Sequence, residues 1–365
     1  MSNQTLPKSA GSSAPDPSSN GSSFDLRSSL AGLARVQVFQ IVIVLLAISI
    51  LFSILAPNSF PEWGNIRQII QNVSILAVLG IGMTFVIVTS GIDLSIGSVL
   101  VFSGVVAAKV MRAVGGEGWS VAVIGILVAV ACGLAWGLLN GFLIGIAKVP
   151  PLIATLGTLG GALGLAQVIT GGVDIRDVPP VLVDTIGYGN VPATTIPLIS
   201  FIALVFVIVF GIVLHRTRFG LHTFAVGSKE QSARRVGIKV DLHLIKVYAL
   251  SGTLAGLAGI LSLSQYGTTA IAGQSQTNLN VIAAVVIGGT SLFGGVGTMF
   301  GTVIGLFIPA VLQNGFVIVG VQPFWQQVAV GAVLIAAVYF DQRRRAAATR
   351  GASTSSLKRL WARNP

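Results

Sequence analysis

From about residue 38 onward the chain alternates long apolar runs with short polar breaks, and most runs approach or exceed the ~20 residues that cross a bilayer as a helix. The pattern predicts ten spans. The first two are about Val38–Ala56 and Ile69–Thr89, and a third follows the stretch Thr89–Ser98 and reaches about Val110. The next four are about Trp119–Ala147, Leu152–Thr170, Thr194–Leu214 and Val247–Leu263. The last three are about Leu279–Phe293, Met299–Val319 and Phe324–Phe340. The runs are continuous, whereas a β-barrel needs alternating ~10-residue strands. The expected fold class is therefore an all-α polytopic membrane protein.

The breaks carry turn formers: Pro57, Gly115 to Gly118, Pro150–Pro151 and the Gly/Pro/Asp-bearing stretch Gly171–Ala193. Residues 1–35 are rich in Ser, Gly and Pro and predict a disordered tail. Residues 36–342 form the membrane domain, and 343–365 form a basic tail.

Composition agrees with this division. Apolar residues make up 53% of the chain and charged residues 9%, against about 25% charged in soluble domains. That excludes an ordinary cytosolic enzyme. The net charge of +11 is explained by loop distribution rather than by nucleic acid. Of the 22 Lys and Arg, 18 fall on the side shared by both termini and the stretch between spans six and seven. Arg67, Lys109, Arg112 and Arg176 fall on the other. Lys and Arg concentrate in cytoplasmic loops, so both termini are expected in the cytoplasm. The single Cys132 permits no intramolecular disulfide and reads as a packing residue.

The longest charged interruption is His215–Lys246, with seven Lys/Arg and all three histidines. Within it, Ser228, Lys229, Glu230 and Gln231 read as the start of a short helix, with a capping box between Ser228 and Gln231. Ala233, Arg234 and Arg235 continue it, and Gly237 ends it. A helix of about eight residues is unstable alone in water. It must lie on a surface, or else the stretch is a solvated loop whose arginines meet lipid headgroups.

Gly133, Gly137, Gly141 and Gly145 line one helix face, as do Gly297, Gly301 and Gly305. Such spacing lets backbones approach closely. Asp93 stands at membrane depth, where a carboxylate is costly. Two readings stay open: it caps the following helix together with Ser95, or it lines a solute path. Asn72, Asn140, Thr155, Thr158, Asn280, Gln313 and Asn314 are further polar groups that together suit a neutral, hydroxyl-rich solute. No row of ionisable groups crosses the spans, which weighs against a proton-driven pump. No lysine follows a glycine, and HExxH and GxSxG are absent, so no phosphate loop or hydrolytic motif is present.

Five stretches in order complete the picture: VTSGIDLSIGSVL (Val88–Leu100), GLLNGFLIGIAKVPPLIATLGTL (Gly137–Leu159), RTRFGLHTFAVGSKEQSARRVGIKV (Arg216–Val240), YALSGTLAGLAGIL (Tyr248–Leu261) and NVIAAVVIGGTSLFGGVGTMFGTVIG (Asn280–Gly305). With these the chain resembles the permease subunits of bacterial ABC importers for ribose-, xylose- or galactose-type sugars. Related permeases carry nucleosides, furanosyl signalling molecules or branched-chain amino acids. The resemblance implies a non-catalytic subunit of the inner membrane, with no cofactor of its own and with ATP and Mg on a partner ATPase. It also implies a second permease copy and an extracytoplasmic sugar-binding protein. The segment Ser228–Gly237 would be the helix that docks on the ATPase. Glu62, Arg67, Asp174, Arg176, Asp177 and Asp184, in the exterior loops, would receive the binding protein or serve as ordinary solvated charges. An ion-gradient carrier acting alone and an intramembrane enzyme are the rival classes.

Overall fold

The computed structural model describes residues 37–272 and 277–322, with short groups of residues between 324 and 339. The described part is nearly all helical. In order it comprises α1 (Gln37–Leu55), α2 (Trp63–Val88), α3 (Ile96–Val114), α4 (Trp119–Gly145) and α5 (Pro151–Thr170). A single π-helical turn (Leu182–Gly187) precedes α6 (Leu198–Arg216). Then come α7 (Arg218–Ser228), α8 (Glu230–Arg235), α9 (Val240–Tyr266), α10 (Thr277–Ile287) and α11 (Met299–Ile318). Eight of these are long and apolar enough to cross a membrane. They match the first seven expected spans and the ninth. The expected eighth is shorter than predicted, because α10 has only 11 residues. The expected tenth span lies mostly outside the described residues, as do both expected tails.

The core is built on α2 and α9, which are largely buried, while α1 and α6 turn most of their length outward. The glycine face of α4 packs inside the bundle, against α9. A Cβ on Gly137 would stand 2.9 Å from the Ala249 Cα, and one on Gly141 would stand 2.7 Å from the Ile245 Cα. Contact is therefore backbone on backbone, as the four-residue glycine spacing permits. Gly301 and Gly305 of α11 meet the backbone of α10 at Gly288 and Ala284 in the same way.

The chain between α2 and α3 is not a simple surface turn, since Asp93 and Ser95 are buried. It reverses at Thr89–Ser90, where Ser90 has φ +63°. Residues 91–93 lack regular secondary structure, and α3 starts inside the bundle, behind the buried Ser95. The Asp93 carboxylate meets Ser251, which lies 11 residues into α9, or about 16 Å from that helix's first residue at ~1.5 Å per residue. α10 also begins at this level, since Asn278 Nδ2 donates to the Leu94 carbonyl at 3.1 Å. Both helices thus start inside the bundle, and the chain that leads into α3 is non-helical.

The charged stretch between spans six and seven is not a loop with one helix in it. α6 runs to Arg216, α7 and α8 follow, and α9 begins at Val240, two turns earlier than its apolar run. The predicted capping box is absent. Ser228 is the last residue of α7, and Lys229, extended at φ −162°, is the N-cap of α8 without a side-chain bond. The Ser228 hydroxyl instead lies beside Gly295. The predicted terminator holds: Gly237 has φ +85°. Its N–H donates to the Arg234 carbonyl, and the Ile238 N–H donates to the Ala233 carbonyl, each at 3.1 Å, the paired bonds that close a helix through a left-handed residue. Ala233 and Ile238 then pack together with Val226 and Val240. An L-residue in this conformation costs about 1–2 kcal/mol. Gly237→Ala is therefore expected to raise tryptic cleavage at Arg235 and Lys239 about fivefold through local opening, read by limited proteolysis of the purified protein.

Candidate functional site

The polar residues predicted to share a passage separate into groups. Asp93, Asn140, Thr155 and Thr158 come together. Asp93 Oδ1 accepts from the Ser95 N–H at 3.0 Å and the Ser95 hydroxyl at 2.6 Å. Its Oδ2 accepts from the Ser251 hydroxyl at 2.9 Å. Asn140 Nδ2 donates to Ser95 Oγ at 2.9 Å, and Thr158 Oγ1 donates to Asn140 Oδ1 at 2.7 Å. The Thr155 hydroxyl approaches the Ile92 carbonyl at 3.3 Å. This chain ties the start of α3 to α4, α5 and α9. Its members are buried, with Asp93 only 2% exposed. A buried carboxylate is tolerable when its oxygens are hydrogen-bonded, and here three donors serve the two oxygens.

The capping expectation is not met: Asp93 bonds the amide of the N-cap Ser95 itself, and Ser95 caps no first-turn amide. Asn72 lies elsewhere, accepting from Gln265 at 2.7 Å and Tyr266 at 3.2 Å near the far end of α9. Asn314 donates to Asn65 at 2.7 Å. Asn280 is half-buried on α10, and Gln313 is exposed on α11. Sequence reasoning missed Ser251 and Asn278. A lone serine in an apolar helix carries no signal, and Asn278 stood in what looked like a polar connection.

The α8 end of the bundle holds a second cluster. Asp241, in the first turn of α9, pairs with Lys148 and with Arg234, whose Nη1 lies 3.2 Å from Asp241 Oδ2. Arg234 also bonds Glu230 at 2.8 Å. Asp241 and Glu230 together raise the pKa of the Arg234 guanidinium and keep it protonated. These pairs are exposed and so add little stability, but they fix geometry. Lys148, with φ +59°, lies in the turn between α4 and α5. Gln231, Lys229 and Arg235 stay exposed, and Ala233 is the buried foot of α8.

A second link runs through Ser90, whose hydroxyl lies 3.1 Å from the Gly227 carbonyl and 2.8 Å from the Phe293 carbonyl. The Gly295 N–H meets the Val88 carbonyl at 2.9 Å. α7 therefore touches both the non-helical segment that leads to Asp93 and the turn that follows α10. At the opposite end, Asp174 accepts from the Thr269 hydroxyl and the Ile271 N–H, each at 3.0 Å. Asp177 pairs with Arg112 at 3.2 Å, and Arg67 donates to the Tyr188 carbonyl at 2.8 Å. Glu62, Arg176 and Asp184 are exposed. Among the described residues no group of three His, Cys, Asp or Glu stands close enough to hold a metal.

Helices that start inside the bundle at a polar cluster, tied to a charged helix at one end, are a transporter's architecture. The family model described as branched-chain amino acid transport system / permease component matches residues 65–338. The chain belongs to this permease family. Its relatives include the ribose import permease protein of Bacillus subtilis strain 168, 39% identical over 300 residues that cover 81% of this chain and 90% of the relative. The D-allose transport system permease protein of Escherichia coli K12 is 35% identical over 299 residues, 82% of this chain and 90% of that one. The autoinducer 2 import system permease protein of Yersinia enterocolitica is 32% identical over 321 residues, 87% of each. No solved structure matches the chain. Membership places these two clusters in a permease, one buried at depth and one at the end that carries α8.

Proposed function

We propose that this chain is the membrane-spanning permease subunit of an ATP-driven importer and that its cargo is a monosaccharide. The permease works with an ATPase subunit that supplies ATP and Mg, a second permease copy, and an extracytoplasmic sugar-binding protein that delivers the solute. The names of the ribose and D-allose relatives support the sugar class. The autoinducer 2 relative supports a furanosyl solute as the second reading. In this reading both termini and α8 face the cytoplasm, as the Lys/Arg distribution favours.

One observation carries the mechanism: two linkages join α8 and its neighbour α7 to the buried cluster. Arg234 and Lys148 share the Asp241 carboxylate, and Lys148 lies in the turn before α5, which carries Thr155 and Thr158. Gly227, at the end of α7, reaches Ser90, three residues before Asp93. A push on α8 therefore reaches the α3 start from two sides. Closing of the ATPase dimer would move α8, and the non-helical segments beside α3 and α10 would absorb the change as the bundle alternates its opening. Asp174, through its bonds to Thr269 and Ile271, ties the exterior loop to the chain entering α10, so that contact by the binding protein reaches the same element.

The test is retention of the ATPase on the tagged permease. Arg234→Glu together with Arg235→Glu places acidic groups beside Glu230 and Asp241. It is expected to lower ATPase retention and solute uptake about tenfold while leaving the permease level in the membrane unchanged, because both arginines are exposed. Unchanged retention with intact uptake would overturn the coupling role. Uptake by vesicles that lack any ATPase would favour a carrier acting alone. Titrating a panel of sugars against the adjacent binding protein tests the cargo, and no response to any of them overturns the sugar assignment.

A further inference from the structure

Beside α8 lies a groove of about 480 Å³, between α7, the α8–α9 turn and the first turns of α9. Its lining includes Lys239, Lys246, His222 and His243, and it contains no carboxylate. At about 100° per residue, Lys239, Leu242, His243 and Lys246 share one face of α9. Asp241 points to the opposite face, where Arg234 and Lys148 engage it. The basic groups of the groove are thus left without an acidic partner from that residue. The His243 ring is held in place by a hydrogen bond between its Nε2 and the Thr223 hydroxyl at 3.0 Å, and that hydroxyl also lies 2.9 Å from the Phe219 carbonyl. That bond leaves the other ring nitrogen, Nδ1, free of it.

The depth of the groove argues for what fills it. Lys246 is the last charged residue before the uncharged, mainly apolar run from Val247 to Leu263, so it marks the edge of the apolar layer. Lys239 lies seven residues earlier, about 10 Å further out along the axis. That distance spans the headgroup layer of a bilayer. The rim is apolar and open, with Val236 and Leu242 exposed in the groove and Leu221 exposed next to His222 in sequence. Basic side chains whose stems lie along apolar surface suit a lipid with an anionic head.

We propose that this groove is a binding site for the phosphate headgroup of an anionic phospholipid, at the membrane surface on the α8 end of the bundle. Lys239 and Lys246 hold the phosphate, and the acyl chains leave the groove past Lys246 toward the apolar layer. The site is independent of the transported solute. The test uses the full-length chain in nanodiscs of phosphatidylcholine containing about one-fifth phosphatidylglycerol, with retained lipid counted by native mass spectrometry. Phosphatidylglycerol is expected to be enriched on the protein. The Lys239→Gln/Lys246→Gln variant should lower that enrichment about tenfold. Lys239→Arg/Lys246→Arg should keep it, and Lys109→Gln, at the other end of the bundle, should leave it unchanged. Equal enrichment in the glutamine variant overturns the site. If inorganic phosphate at about 10 mM strips the lipid as fully as the lysine substitutions do, the groove takes free phosphate and the lipid assignment fails. If a bound ATPase displaces the lipid and the glutamine variant also loses the ATPase, the groove belongs to a protein partner.

Discussion

Gly137→Leu is expected to remove most of the protein from the membrane fraction. At this position α4 and α9 touch backbone to backbone, and the Cβ alone would stand 2.9 Å from the Ala249 Cα. Rotamer change relieves a clash with a side chain, but the Ala249 Cα can move only with its helix. The two helices must therefore separate along the seam that also holds Gly133, Gly141 and Gly145. Overpacking in a core costs typically 1–3 kcal/mol, and separating a backbone contact belongs at or above the top of that range. α9 also carries Ser251 and Asp241, so its displacement pulls on both the buried carboxylate and the ion pairs beside α8. The measurement is the amount of protein in membranes together with its thermal half-inactivation temperature in detergent. Gly64→Leu is the control, because nothing lies within 4 Å of a Cβ there. Equal levels for the two variants would show that the α4–α9 seam does not limit folding.

This seam was legible in the sequence, since four glycines at four-residue spacing on one helix have few other uses in lipid. The membrane-crossing helices were legible for the same kind of reason: apolar length is a direct physical requirement of the bilayer. The boundaries of α9 were not. An apolar run ends where charge begins, whereas helical hydrogen bonding continues through Asp241, His243 and Lys246 into the interface. Ser228 misled because its spacing from Gln231 fits a capping box, but α7 extends through it and leaves Lys229 as the cap. The buried cluster was half legible. Asp93, Asn140, Thr155 and Thr158 stand out as polar groups in apolar surroundings. Their joining through Ser95 and Ser251 depends on which helices are neighbours, and a single sequence does not state that. The Lys148–Asp241 pair joins residues 93 apart and is hidden for the same reason.

Asp93→Ala is expected to abolish uptake and to lower stability by about 3–5 kcal/mol, whereas Asp93→Asn should cost only about 1–2 kcal/mol. The carboxylate serves three buried donors. Alanine leaves all three without a partner, and each unsatisfied buried group costs about 1–3 kcal/mol, offset in part by rotation of the two hydroxyls toward other acceptors. Asparagine keeps one acceptor oxygen for the Ser95 N–H and hydroxyl. Its amide can donate to Ser251, because a hydroxyl both donates and accepts. If Asp93 anchors the α3 start, stability and uptake should fall together in the order Asp, Asn, Ala, and Ser251→Ala should show a smaller loss of about 1 kcal/mol in both. If Asp93 instead lines the solute path, Asn should change the apparent KM for solute while the thermal midpoint of the purified protein stays in place. Parallel measurement of uptake kinetics and detergent thermal midpoints for these three variants separates the roles. The burial of Asp93 and the bonding of both its oxygens favour the anchor.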